Sequence, residues 1–494
     1  MLSSLGDCVS SFVLSGDAIS HGPIAEVSAT SATIWARGVS GGAFRVRCWA
    51  MGMKDAPCHT AFAIMKASDD FTARCTVSGL DPCTRYEYVV ETKARYWKRI
   101  GTFRTAALPD QPAACSFVFG SCIGGQGYGR YAGKAEDLSS GFPAFGAMLD
   151  MVPDFFVCNG DIIYADNAIE PVATTPWNKD TEHVVGEGMA VANDLDGFRA
   201  RYRYHLADPK LGAFYAATPL VNTWDDHEIF DDWGAEKLVS EGKAQLLEDG
   251  QRAWFEYHPH TGPPEEPRRI YRTVRWGAHV ELFVLDCRSY RSRHELRTSL
   301  AESDAKEATP QMKTILGATQ FDWLLDALGK STATWKMICT SIPLSYPTGW
   351  PRPQETGYDG WADGVHGEHS TGPERELKAI LEFIRSTPIT NVVFISGDVH
   401  FPFCISYDPF GDGKPLVHEI GATPIHALCL PAPEKPGDQS LNPSVLYAGK
   451  TEFGGSLQNF GRCEINDAGE AIFSLHDITG GELYKVTLTP SVKA

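Results

Sequence analysis

Phe155-Phe-Val-Cys-Asn-Gly-Asp161 is the stretch from which the rest of the chain reads. Four apolar residues in a row leave no polar face for water, so Phe155 to Cys158 is predicted to be a strand buried on both sides. The run then breaks at Gly160 and ends on a carboxylate, Asp161. Just upstream, Pro143 opens a helix with Phe145, Met148 and Leu149 on one face. The same grammar returns downstream. Thr319 is predicted to cap a helix carrying Phe321, Leu324, Leu325 and Leu328 before a strand at Trp335 to Thr340. Pro373 stands near the start of another helix, with Leu377, Ile380, Leu381 and Ile384, before a strand at Asn391 to Ser396. Apolar strands alternating with amphipathic helices define a layered α/β domain.

Other strands end as Phe155 to Cys158 does. Phe117-Val-Phe-Gly-Ser-Cys122 ends in a thiol, and Asp161 is followed three residues on by Tyr164. Leu220-Val-Asn-Thr-Trp-Asp-Asp-His-Glu228 ends in a polar cluster, and Val392-Val-Phe-Ile-Ser-Gly-Asp-Val-His400 ends in a carboxylate and an imidazole two apart. In open α/β sheets, ligands bind beyond the carboxyl ends of strands, so four such endings are expected to meet in one crevice. Singly, each has a plain structural reading: a turn for Asp161, a helix cap for the Asp225 to Glu228 cluster, a hydrogen-bonded core pair for Asp398 and His400, a packed thiol for Cys122. All four would have to hold together. Carboxylates such as Asp161, Asp226 and Asp398 suit hard cations, whereas a Cys122 thiolate and a Tyr164 phenolate suit a ferric ion. Metals so held neutralise phosphoryl charge and acidify water, and His227 would hand a proton to a leaving oxygen, its ring oriented by Glu228 or a neighbour.

Away from this core the pattern changes. Ala25 to Arg104 is β-rich, with Thr30-Ser-Ala-Thr-Ile-Trp35, Phe44-Arg-Val-Arg-Cys-Trp49 and Tyr86-Glu-Tyr-Val-Val-Glu91 between turn residues, as in a small fibronectin- or immunoglobulin-like sandwich. The expected division is an N-terminal β-sandwich domain over 1–108 and a catalytic domain over 115–494, with the Pro-containing segment between them as linker. Strands near Gly461, Ala471 and Leu483 are expected to close the large domain. Gly- and Pro-rich stretches at Gly124 to Gly133, Asp166 to Gly188, Tyr346 to Gly372 and Pro431 to Gly454 are expected to wall the site.

Composition narrows the partners. The 494 residues exceed one ordinary core, and a net charge of −18 argues against nucleic acid and acidic membrane surfaces. No run of about 18 apolar residues suggests a membrane span. Met1 to Val13 makes a poor signal peptide, so the compartment stays open: secreted or periplasmic if an export signal is missing, otherwise cytoplasmic. The 13 cysteines form no CxxC pair, and a bridge is open only among Cys8, Cys48, Cys58, Cys75 and Cys83.

In this order, GSC at Gly120 to Cys122, GDIIYAD at Gly160 to Asp166, WDDHE at Trp224 to Glu228, LDCRSYR at Leu285 to Arg291 and GDVH at Gly397 to His400 resemble the PhoD-like alkaline phosphatases, a branch of the calcineurin-like metallophosphoesterases. The resemblance implies an αββα four-layer sandwich and metal-dependent hydrolysis of phosphomonoesters or phosphodiesters. It implies Fe3+ on Cys122, Asp161, Tyr164 and His400, and Ca2+ on Asp161, Asp226 and Asp398, with Asp225 a weaker ligand. His227 inherits the phosphate-facing role. Arg288 and Arg291 either contact phosphate or pair with Asp286 or a neighbour, and His366 and His369 lie near the site mouth or on the surface. Two features depart from expectation: Met337 to Leu344 lacks the metal-binding histidine that the wider superfamily has there, and the usual export signal of these phosphatases is missing. Alternatives are a phosphodiesterase or phospholipase-type enzyme on the same scaffold, a non-catalytic metal-containing binding protein, and Zn2+ or Mn2+ as the metal.

Overall fold

A computed structural model describes residues 19–53, 59–92, 98–133, 140–292, 314–346, 348, 359–361, 373–387 and 389–491. Two strand families organise it. The first comprises β1 (Ile19–Val27), β2 (Ser31–Gly38), β3 (Gly42–Ala50), β4 (His59–Met65), β5 (Thr72–Ser78), β6 (Arg85–Thr92) and β7 (Lys98–Arg104). They form antiparallel sheets in the orders β1-β2-β5 and β4-β3-β6-β7, as the early β pattern predicts.

The second family builds two large sheets. In one, β8 (Cys115–Gly120), β9 (Phe155–Asn159) and β10 (Leu220–Thr223) run parallel. This sheet continues antiparallel through β18 (Asn459–Ile465), β19 (Ala471–Asp477) and β20 (Glu482–Leu488), the C-terminal strands expected to close the domain. In the other sheet β12 (Val280–Val284), β13 (Trp335–Cys339), β14 (Val392–Ser396) and β16 (Val417–Gly421) are parallel. Antiparallel strands edge it: β11 (Arg272–Trp276) beside β12, and β15 (Phe403–Tyr407) then β17 (Pro443–Ala448) beyond β16.

The uninterrupted apolar runs now have their physical reason. Along β8 and β9, Phe117, Phe119, Phe155 and Val157 face the second sheet and pack in one core with Met337, Val393 and Ile395. The alternate residues Val118, Phe156 and Cys158 face outward onto α1 (Ala144–Asp150), α2 (Leu195–Leu206), α3 (Pro209–Ala217), α4 (Ala235–Ser240) and α5 (Ala244–Tyr257), meeting Phe145, Met148, Phe198, Phe214 and Trp254. On the far side, Phe283, Ile338 and Phe394 meet Leu324, Leu328, Leu377 and Leu381 of α6 (Gly317–Lys330) and α7 (Pro373–Ser386). The layers are helix, sheet, sheet, helix. Each fully buried aliphatic or aromatic side chain contributes roughly 1.5–3 kcal/mol, which is why both strand faces are apolar.

Two local expectations change. Thr319 does not cap α6: the helix begins at Gly317, whose N–H bonds the Thr314 hydroxyl at 2.7 Å, so Thr319 lies inside the first turn. Cys75 and Cys83 are free thiols, while Cys8 and Cys58 lie outside the described residues, as do His366 and His369.

Candidate metal centre

Because β8, β9 and β10 are parallel and β12, β13 and β14 are parallel, each sheet gathers its carboxyl ends on one side. The two Gly-Asp turns show how closely these ends approach. A Cβ on Gly397 would lie 2.5 Å from the Ser121 hydroxyl, so a side chain there would push the sheets' ends apart. Gly160 has φ +96 and a Cβ on it would lie 2.5 Å from that of Asp225. The residues that follow are themselves held left-handed: φ is 64° at Cys122, 52° at Asp161, 67° at Asp398 and 62° at His400. Non-glycine residues rarely adopt this region, and such strain concentrates where a surrounding structure has a use for it.

Asp161 is the hub. Its Oδ2 accepts from the Tyr164 hydroxyl at 3.0 Å and from the Cys122 thiol at 3.4 Å, while Oδ1 accepts the His227 backbone N–H at 3.3 Å. The Tyr164 hydroxyl also meets Nε2 of His400 at 2.9 Å, and the other ring nitrogen of His400 faces the Leu428 carbonyl. On one side of Asp161, donor atoms of Cys122, Asp161 and His400 lie within 4.8 Å of one another; on the other side, so do those of Asp161, Asp225, Asp226 and Asp398. All seven residues expected to bind metal are therefore gathered around one shared carboxylate.

The electrostatics fit cations. Burial, the Cys122 thiol and Asp226 push Asp161 well above the usual carboxylate range. Asp398 keeps some solvent contact, yet burial leads the same upward push there, reinforced by Asp225 and Asp226. Asp225 rises to about 6, burial outweighing Arg288, and its buried Oδ2 has no hydrogen-bond partner. Burial drives the Cys122 thiol up to about 12, so a thiolate there would need a neighbouring cation to form. Mutual repulsion among buried acids, an orphaned carboxylate oxygen and a hard-plus-soft donor set are what metal ions would relieve.

His227 has a different setting. Its Nδ1 lies 2.8 and 2.9 Å from the two oxygens of Asp166, and its ring stacks on that of Tyr164 at 4.1 Å. Burial opposes a charged imidazole, but Asp166, Asp226 and Asp161 overcome it and hold the ring well above its usual range. Nε2 is the nitrogen left over, with Asp231 3.7 Å away.

Two expectations are corrected. Arg288 does not face a substrate: it is 0% exposed, its Nε donates to Asp225 Oδ1 at 2.6 Å, and its fork closes on Asp359. Arg291 donates to the same Asp359 at 2.7 Å. The alternative of an ion pair with Asp286 or a neighbour holds through the neighbours Asp225 and Asp359, while Asp286 itself accepts the Trp224 indole and the Arg288 backbone N–H. Glu228 does not orient His227; fully buried, it accepts the N–H groups of Ile162 at 2.7 Å and Asp225 at 2.9 Å, tying β9's turn to β10's. Asp166, at the end of the Gly160 to Asp166 motif, takes that place. Asp232 and Asp359, which join Asp226 in a further group of close carboxylates, were also missed. The second Asp-Asp pair at Asp231 was a usable signal for Asp232; Asp359 sits in a Gly- and Pro-rich stretch that offered none.

Paired sheets between helical layers, with thiol, phenol, imidazole and carboxylates meeting at the strand ends, make the chain a layered α/β protein whose strand ends gather groups able to hold metal ions. Within that class its family is shown: residues 117–472, well over half the chain, match the model of the PhoD-like phosphatases, and the chain belongs to this family. It is 27% identical over 333 residues to alkaline phosphatase D of Bacillus subtilis (strain 168), covering 65% of this chain and 52% of that protein, so the match spans about half the length of the curated relative. A solved structure of PhoD shares the fold with a TM-score of 0.73, over 98% of this chain and 94% of that one, at 19% identity.

Proposed function

We propose that the chain hydrolyses small phosphate esters at a multinuclear metal centre, with Fe3+ on Cys122, Asp161, Tyr164 and His400 and Ca2+ on Asp161, Asp226 and Asp398, assisted by Asp225. The observation that carries this reading is the placement of Asp161, which belongs both to the close group with Cys122 and His400 and to the close group with Asp225, Asp226 and Asp398. Family membership supports the reaction class, and the mixture of thiol, phenol and imidazole on one side with carboxylates alone on the other supports two unlike metals.

Bound there, such cations neutralise phosphoryl charge and make water a competent nucleophile near neutral pH. The chain's own groups do the rest. Asp161 presents both oxygens to the crevice, held by Tyr164, Cys122 and the His227 amide. Asp166 keeps Nδ1 of His227 occupied, so the proton available for transfer sits on Nε2. From there it passes to the leaving oxygen as the phosphorus–oxygen bond breaks, which avoids expelling an alkoxide. Glu228 and Arg288 hold the two strand-end turns that carry Asp161 and Asp225.

Metal content by elemental analysis of the isolated protein, with hydrolysis of p-nitrophenyl phosphate and bis-p-nitrophenyl phosphate with and without calcium, tests this. Iron together with calcium-dependent monoester turnover is expected. A diester preference would favour a phosphodiesterase, a colourless zinc or manganese protein would replace the metals, and absence of both metal and turnover would leave a binding protein. Cys122→Ala is expected to lose iron; full iron content in that variant would remove the thiol from the centre.

A further inference from the structure

On the proposed reading, the machinery that delivers the proton is Asp166 and His227, and what holds that pair in place lies a layer deeper. We infer that Arg201 is a positioning residue: its buried guanidinium ties together the two stems of the wall loop between Asn167 and Ala190, and so holds the peptide that carries Asp166.

Arg201, on α2, is 0% exposed. A single nitrogen, Nη2, donates to three carbonyls: Asn167 at 2.6 Å, Ala190 at 3.1 Å and Met189 at 3.3 Å. The first belongs to the residue after Asp166, the other two to the far end of the loop. Nε and Nη1 are buried without a hydrogen-bond partner, and among the described residues no carboxylate pairs with this cation. Burial pulls its pKa down to about 10, which leaves it charged at neutral pH. A buried, unpaired cation is costly, and an apolar side chain would fill the space more cheaply if space-filling were the task.

The stems themselves are laced where Arg201 reaches them. Ile169 N–H bonds the Met189 carbonyl at 2.8 Å, Ala192 N–H bonds Ala165 at 2.8 Å, and Ala165 N–H bonds the carbonyl of His227 at 2.7 Å. The loop also presses on the helix that carries Arg201: a Cβ on Gly188, at φ +80, would lie 2.2 Å from the Ala200 carbonyl. Loosening this base frees the peptide between Asp166 and Asn167, and with it the carboxylate that aims His227. The loss should be greatest for esters whose leaving group needs the proton.

The test uses the metal-loaded enzyme with phenyl phosphate, a poor leaving group, against p-nitrophenyl phosphate, a good one. Since general acids contribute about 10²–10⁴-fold, Arg201→Met is expected to lower kcat on phenyl phosphate about tenfold more than on p-nitrophenyl phosphate, with KM and metal content unchanged. Arg201→Gln should do the same and serves if the Met variant does not accumulate. Arg201→Lys should restore the ratio, because all three bonds come from one nitrogen. Asp166→Asn should cost less in the Arg201→Met background than in the parent. Equal losses on both esters, or additive losses with Asp166→Asn, overturn the inference. Hydrogen exchange reads the tie without any turnover: the amides of Ile169 and Ala192 should lose protection in Arg201→Met, and unchanged protection would refute it. A parent inactive on both esters defeats the proposed activity instead, and exchange then decides the tie alone.

Discussion

Cys122, Asp161, Asp398 and His400 all pay for their place in backbone conformation, since each stands at a φ between 52° and 67°. Left-handed backbone costs a residue with a Cβ about 1–2 kcal/mol, which glycine escapes. At His400, Gly and Ala both delete the imidazole, so His400→Gly is expected to melt higher than His400→Ala by an amount equivalent to about 1 kcal/mol. Thermal unfolding of the two metal-free variants checks this, and identical melting would deny the strain. His227 is judged by chemistry instead. His227→Ala is expected to lower turnover by about 10²-fold or more with metal content intact. Full turnover in that variant would end the proton-donor assignment. His227 was legible in the chain as part of Trp224-Asp-Asp-His-Glu228, but its true partner was not, because Asp166 lies 61 residues earlier and only the folded turn brings it to 2.8 Å.

Among the elements, the loop after β8 shows how neutral histidines can serve as backbone donors. His205 on α2 meets the Ile123 carbonyl at 3.1 Å, and His426 meets that of Gly129 at 2.9 Å, so the chain leaving Cys122 is pinned from two sides. Burial, aided by Arg201, lowers His205 from 6.5 to about 3; burial lowers His426 to about 4. In both, the folded pKa lies below the unfolded one, so acid protonates the unfolded chain first. Their contribution is complete above pH 6.5 and is lost as pH falls toward 3 to 4. The expected slope for one such group is about 1.4 kcal/mol per pH unit within that window. Denaturant unfolding between pH 7 and 4 should show it, and His205→Gln should flatten it; a slope unchanged by that substitution would locate the acid sensitivity elsewhere.

Taken as a whole molecule, the small sandwich and the layered core are joined by polar contacts as well as apolar ones. Asp70, beside β5, accepts from Arg37 of β2 at 2.8 and 3.0 Å, from Arg203 of α2 at 2.5 Å, and from the Tyr257 hydroxyl of α5. Burial alone would raise its pKa, but these donors hold it down to about 2. A depressed carboxyl contributes stability that is whole above the unfolded value of 3.8 and fades as pH drops through 2. Asp70→Asn is therefore expected to cost roughly 2 kcal/mol at pH 7, and less on acidification below 3.8. Comparing unfolding at pH 7 and pH 3 distinguishes this from a loss that is the same at both.

How much was visible in the chain follows from the range of each interaction. Periodicity is local: two faces buried in apolar layers write an unbroken run such as Phe155 to Cys158, and a strand's end writes a glycine and a polar residue. That alone indicated the α/β layering, the early β sandwich and the candidate donors Cys122, Asp161, Tyr164, Asp226, Asp398 and His400, while Asp225 entered as a candidate ligand only through the resemblance to the phosphatase family. Whether a charged residue lines the crevice or braces it is a question of partners, and partners are long-range. Arg288 finds Asp225 across 63 residues and Asp359 across 71, which decides between the phosphate contact and the ion pair that the sequence left open, in favour of the ion pair. Glu228 caps the amide of Ile162, 66 residues away, and leaves the orienting of His227 to Asp166. These assignments depend on which strand ends come together in the paired sheets, because a buried charge takes the nearest donor or acceptor in space, and only the tertiary structure decides which that is.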